Sequence, residues 1–251
     1  MMVGVAYHAC AIPLIWRTYD PYDYPEEGQV QLLMDLLDHL RHLLPPSARA
    51  LLLADRGLGT SPDWQQRLSA TGWDYLLRVQ RSTRVRVPGH KPQPPRRLVG
   101  YGQRWTGRVE VFKKAGWQWK GVYLMWELGY AEPWCLFSNQ AHLAPNLYAL
   151  RFHHEASFRD LKSDGFHWQR SRVWKPAHTE RLLLVLACAS LWTLAQGTQV
   201  LFLYPLTARQ KRLSLFRLGL DELFARFQPA GRAYLDLFLA PDSPTLKSVV
   251  T

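Results

Sequence analysis

Four polar residues, Tyr148, Arg151, Glu155 and Lys162, have the types and spacing to do chemistry on a phosphate or a metal ion. At 100° per residue they project from a helix at about 0°, 300°, 340° and 320°, one narrow stripe. Leu147, Leu150, Phe158 and Leu161 project at about 260°, 200°, 280° and 220°, so the charged stripe borders the apolar face instead of opposing it. A carboxylate and two cations there must pair or hold a ligand, because burying them unpaired is costly. Spacing alone leaves both readings open: a structural ion pair, or a carboxylate and cations gathered on a metal or phosphate.

A second acid, Asp55, follows the wholly apolar run Leu51-Leu-Leu-Ala54, which reads as a central strand buried on both faces. An Asp after a strand is ordinarily a turn former or helix cap, and that reading stands beside the chemical one. Between Tyr75 and Val109 the chain carries Arg78, Arg81, Arg84, Arg86, Lys91, Arg96, Arg97, Arg104 and Arg108 with no Asp or Glu, and Tyr101 and Trp105 interleave. Such a stretch suits phosphate and aromatic contacts to DNA, the alternative being a solvated basic loop. His153 and His154 have no zinc-type spacing, and His154 lies within the apolar arc as a core or boundary residue. Most tryptophans read as packing, although Trp168 and Trp174, flanked by Arg170, Arg172 and Lys175, can line a DNA groove.

The elements that position these residues follow a mixed α/β order. Val3 to Ala9 and Ala11 to Thr18 are β-rich runs that predict a hairpin, with Pro13 marking an irregular or edge position. Leucines from 32 to 44 at helical spacing predict a helix ending before Pro45-Pro46. Ser61 as N-cap, Pro62 and Asp63 start a helix to about Ala70, and Trp73 to Val79 returns as a strand. From Arg81 to Gln140, short β-prone runs (Val109 to Lys113, Gly121 to Trp126, Trp134 to Phe137) are broken by Gly and Pro. Long helices are predicted at about 146 to 164 and 179 to 196, the latter capped by Thr179 and closed near Gly197. A basic helical segment follows around Arg209, Lys211, Arg212 and Arg217, and the last ten residues read as frayed. The chain thus parses into residues 1–80, a β-rich basic insertion at 81–140, the helices of 141–200, and a C-terminal segment at 201–251.

The order Y-x2-R-x3-E-x6-K over Tyr148 to Lys162 resembles the signature around the last catalytic acid of DDE transposases from bacterial insertion sequences, in the branch named for those letters. Leu-Leu-Leu-Ala-Asp55-Arg-Gly resembles that family's second-acid segment, Tyr75-Leu-Leu-Arg78 the following strand, and the likeness continues through Leu213 to Gly219. The resemblance implies a ribonuclease H-like mixed sheet flanked by helices, with a β insertion between the second and last acids. It implies Asp55 and Glu155 as catalytic, metal-binding acids for Mg²⁺ or Mn²⁺, and Tyr148, Arg151 and Lys162 as DNA-handling residues. Arg78, Arg84, Arg86, Arg96 and Arg97 are the further candidate DNA contacts. The family's first Asp lies on a first strand just upstream of sequence like Val3 to Tyr7; that acid is absent here, and Asp20 and Asp23, beside Pro21, read as loop residues. A copy truncated at its N-terminus, with a non-enzymatic DNA-binding remnant as the alternative, is therefore expected.

Composition agrees with a DNA partner. The 251 residues can bury a proper core, the hydrophobic share of 47% excludes disorder as the default, and the net charge is +11 with a pI near 9.8. Cys10, Cys135 and Cys188 are odd in number and far apart, without the pairing of a zinc site or disulfide frame. The run Leu182 to Ala195 is too short to span a bilayer, and the start lacks a basic n-region, so no membrane partner is expected. Double-stranded DNA at element ends and target, a possible homodimer and a cytoplasmic, nucleoid-associated location complete the expectation.

Overall fold

In the computed structural model, which describes residues 1–20, 22–143 and 145–227, the chain forms two units. One comprises Met1–Leu43 and the described residues from Leu150 on; the other is Leu44–Ala149.

The first unit opens with the expected hairpin, β1 (Met2–Tyr7) antiparallel to β2 (Cys10–Trp16). Its two-residue turn places His8 and Ala9 at φ +38° and +63°, the left-handed geometry that suits the twist of a tight hairpin. Pro13 stands opposite Gly4 where the register shifts, so the residue that cannot donate a ladder bond sits at a bulge. Helix α1 (Gly28–Leu43) buries Leu33, Met34, Leu36, Leu37 and Leu40, the face its leucine spacing predicts.

The helix expected at 146 to 164 is not uniform. Pro145–Arg151 is a 3-10 segment, Phe152–Arg159 is the α-helix α4 in the first unit, and Asp160–Asp164 is a π turn. The single 100° stripe therefore does not hold over its length, because tighter and wider turns change the angular step at each end. Ser157 of α4 accepts a 2.6 Å hydrogen bond from the Ala11 backbone N–H, fixing the helix on the hairpin.

The next helix, α5, spans Pro176–Leu203, longer at both ends than its sequence signals. Lys175 holds the cap position with Pro176 at N1; Thr179 lies inside the helix, where its hydroxyl reaches the Val173 carbonyl. Gly197 does not end α5 but lets it touch α6 (Leu215–Arg226). A Cβ at Gly197 would lie 2.1 Å from the Leu215 carbonyl oxygen, and one at Gly219 would lie 1.7 Å from that of Thr193. By length and composition α5 could cross a membrane, yet Leu183, Leu186, Leu194, Ala195 and Val200 are buried within the unit. Tyr7, Cys10, Leu194, Leu215, Phe216 and Leu220 form its shared core. The C-terminal basic segment is a 3-10 turn at Gln210–Arg212 followed by α6, which Ser214 caps; the expected fraying lies outside the described residues.

The second unit is a six-stranded mixed sheet, in agreement with the ribonuclease H-like class. Its strands are β3 (Leu51–Ala54), β4 (Asp74–Arg78), β5 (Val85–Arg86), β6 (Arg104–Val111), β7 (Gln118–Met125) and β8 (Trp134–Ser138). Their order is β3-β4-β8-β7-β6-β5, with β3 and β4 parallel and every other pair antiparallel. The β-prone runs after residue 81 thus continue one sheet with β3 and β4. One face packs Val79, Val109, Val122, Leu124 and Phe137; the other packs Leu76, Tyr123, Leu136 and Tyr148.

The β3 run departs from expectation. It lies at the sheet edge, pairing with β4 alone among the described residues, and only Ala54 is buried. A strand with one neighbour keeps its leucines half-covered, which an apolar run by itself does not reveal. After it come α2 (Arg56–Gly59) and α3 (Pro62–Ala70), the latter capped by Ser61 as expected, with Trp64 and Leu68 buried.

Candidate active site and nucleic-acid interface

Asp55 leaves the C-terminal end of β3 and caps α2: its Oδ1 accepts the Gly57 N–H at 3.0 Å. The position is rigid because α2 lies hard against β4, where a Cβ on Gly59 would come within 1.8 Å of the Arg78 carbonyl oxygen. Asp55 is exposed, so the cap role and an outward-facing carboxylate coexist.

Glu155 occupies the first turn of α4 with its side chain 58% exposed, and it is ion-paired with Arg151 one turn earlier. The structural ion pair anticipated as one reading of the stripe is therefore present. The Arg151 guanidinium also lies over the Phe152 ring, 5.0 Å from its centre, and the Lys162 ammonium lies 5.3 Å from the centre of the Phe158 ring. His154 stacks edge-on to Phe158, and burial followed by the Arg151 charge lowers its pKa, which fits a boundary residue.

Tyr148 is placed differently from a solvent-facing DNA contact. It is fully buried in the second unit's core, its ring 5.3 Å from that of Trp134. Burial on an apolar sheet face follows from the packing of the 3-10 segment, whose turn angle the α-helical projection did not anticipate.

The basic stretch is only partly unpaired. Arg86 grips Glu110 through two hydrogen bonds of 2.6 and 2.7 Å and lies 4.3 Å from the centre of the Trp117 ring. That bond holds the Glu110 carboxyl below the ordinary carboxylate range. Arg104 pairs with Glu127 at 2.9 Å, while Arg78 and Arg81 reach Glu132. The stretch is free of acids in sequence but not in space, because later strands and turns return carboxylates to it. Arg84, Lys91, Arg96, Arg97 and Arg108 are exposed, with no salt bridge among the described residues; Arg84 donates to the Pro92 carbonyl at 3.2 Å. In the first unit, Trp174 is 80% exposed, and Arg170, Arg172 and Lys175 beside it are exposed as well.

Asp55 and Glu155 offer the hard oxygen donors that Mg²⁺ or Mn²⁺ takes. Among the described residues, however, no group of three or more His, Cys, Asp or Glu is arranged to hold a metal ion. The donor chemistry fits, whereas the number of assembled ligands does not. Asp20 and Asp23 form a local loop bridge, with Asp20 accepting the Tyr22 N–H at 2.9 Å.

Two features escaped the sequence reading. Asp160, in the π turn, has its pKa raised from 3.8 to about 6, chiefly by burial. Glu132, reached by Arg56, Arg78 and Arg81, lies too far along the chain from its partners for spacing to show.

No curated protein matches this chain. The sequence model of the family described as Transposase DDE domain matches residues 26–192, a span that contains Asp55, the arginine-rich stretch and Tyr148 to Lys162. With two thirds of its length so matched and a mixed sheet of the appropriate class beneath it, the chain belongs to the DDE transposases, a family that acts on DNA with divalent metal ions.

Proposed function

We propose that this chain is an insertion-sequence transposase of the Y-R-E-K branch that cuts DNA strands and transfers their ends, with Asp55 and Glu155 as its acids. The observation that carries this reading is the family match, which contains both acids, each exposed at the end of a well-fixed element. Asp55 and Glu155 are the acids that would ligate Mg²⁺ or Mn²⁺, which would supply Lewis-acid charge stabilisation for phosphoryl transfer. The protein's own part is positioning. Arg151 holds the Glu155 carboxylate in place through their ion pair, Lys162 presents an exposed ammonium for a phosphate, and Tyr148 acts from the core by packing, as a positioning residue. The exposed Arg84, Arg96 and Arg97 supply phosphate contacts from the 81–140 region, and Trp174 with its flanking cations offers a stacking surface. Burial of one side of α5 within its unit supports reading it as a core helix and not a membrane span.

A second reading, a DNA-binding remnant without catalysis, is favoured by the occupation of both acids: Asp55 caps α2 and Glu155 pairs with Arg151. One experiment separates the two. Cleavage of element-end DNA with Mg²⁺ is measured for the unaltered chain alongside Asp55→Asn and Glu155→Gln. Cleavage that both substitutions abolish supports the enzyme; equal DNA binding with no cleavage in any form supports the remnant.

A further inference from the structure

Within the second unit, three arginines share one carboxylate. Arg56 and Arg78 both reach Oε1 of Glu132, Arg78 at 3.4 Å, and Arg81 reaches Oε2 at 3.7 Å. The neighbouring pairs of this unit, Arg86 with Glu110 and Arg104 with Glu127, are one to one. The Glu132 cluster therefore carries two surplus positive charges, and burial together with the adjacent Arg56 lowers the pKa of Arg78.

The four side chains are mounted unequally. Arg56 begins α2, directly after Asp55, and Arg78 ends β4, so both sit at the C-terminal end of the parallel β3–β4 pair. Glu132 belongs to the irregular stretch between β7 and β8, where Leu128 and Tyr130 are 72% and 58% exposed. It also lines an open cavity of about 160 Å³ with Trp134, Tyr130, Asn146 and Arg104. Arg56 and Arg78 are thus on the frame, Arg81 is on the turn after β4, and the anion is on a turn with space beside it. A carboxylate and a phosphodiester each present two oxygens sharing one negative charge, and guanidinium forks match both.

We propose that Glu132 is a resident stand-in for a DNA phosphate: it gathers Arg56, Arg78 and Arg81 into one anion site and is exchanged for a backbone phosphodiester when DNA binds. This rests on the DNA-acting reading above and adds to it a defined phosphate position beside Asp55 in sequence. The bland alternative is a structural staple holding the β7–β8 turn to the sheet.

The two differ in the sign of one effect. Binding of a short duplex is titrated against salt without divalent metal, so that the result is independent of catalysis. If Glu132 competes with phosphate, Glu132→Gln tightens binding and steepens the log-log salt slope by up to about 0.9, because no displaced carboxylate then recaptures a cation. Arg81→Gln, at an exposed position, weakens binding and flattens the slope by about the same amount. Inorganic phosphate should raise the Tm of Glu132→Gln more than that of the unaltered chain. Unchanged or weaker binding by Glu132→Gln, or an unaffected slope in Arg81→Gln, overturns the proposal. Should the unaltered chain fail to bind DNA, the DNA-acting reading falls. The phosphate-dependent Tm shift alone then decides whether the anion site stands.

Discussion

In the first unit the α5–α6 crossing is fixed by backbone against backbone, at Gly197 and Gly219. In the second, the end of the β3–β4 pair is dressed with long charged side chains, Arg56, Arg78 and Arg81, converging on Glu132. The first kind of contact has no slack and does not respond to salt. The second can be rearranged by any anion of suitable shape, so the two regions suit different tasks: one keeps the fold, and the other meets a ligand.

The largest effect expected is on chemistry. Asp55→Asn and Glu155→Gln should each reduce Mg²⁺-dependent cleavage by more than the roughly 100-fold that loss of an outer-shell partner costs. Duplex binding and Tm should barely move, since Asn caps as well as Asp and an exposed i,i+4 pair contributes only about 0.3–0.5 kcal/mol. Retained cleavage by either variant would remove that residue from the proposed acids. Next comes Gly219→Ala, which should cost near or above the upper end of the ~1–3 kcal/mol typical of overpacking, at any salt concentration. A melt unchanged by this substitution would show that the crossing has slack after all.

Asp55→Ala, in contrast to Asp55→Asn, should cost about 1 kcal/mol by removing the cap on α2, a difference that denaturant titration can read. Replacing Arg84, Arg96 and Arg97 together by Gln should flatten the salt dependence of DNA binding by about 0.9 per lost phosphate contact. Arg86→Gln should change it less, because Glu110 already holds that guanidinium.

The smallest effect concerns pH. The folded pKa of Asp160 is raised from 3.8 to about 6, so the folded state binds its proton more tightly than the unfolded state. Stability from this group is present in full below about pH 4 and is lost as pH rises through about 6. Asp160→Asn should flatten that window and stabilise the protein at pH 7, modestly, because the carboxyl is partly solvated. Parallel Tm profiles of the two proteins from pH 4 to 7 check the sign.

What the sequence disclosed was local. Ser61, Pro62 and the leucines of α1 announce their helices because caps and apolar spacing act within a few residues. The Arg151–Glu155 pair was legible for the same reason. Placing Leu51 to Ala54 at a sheet edge was not, since an apolar run cannot say how many neighbours it has. Gly197 looked like a helix terminator because its real partner, the α6 backbone, lies across a loop. The arginines of 78 to 108 looked unopposed because Glu110, Glu127 and Glu132 come later in the chain.

That last ordering has a consequence for synthesis. During translation Arg56, Arg78 and Arg81 all leave the ribosome before Glu132, and Arg56 waits through 76 residues for its carboxylate. Until then three like charges at one end of a nascent parallel strand pair repel one another and attract any polyanion nearby, ribosomal RNA included. The β3–β4 corner therefore acquires its Glu132 counter-charge only once the β7–β8 turn has been made.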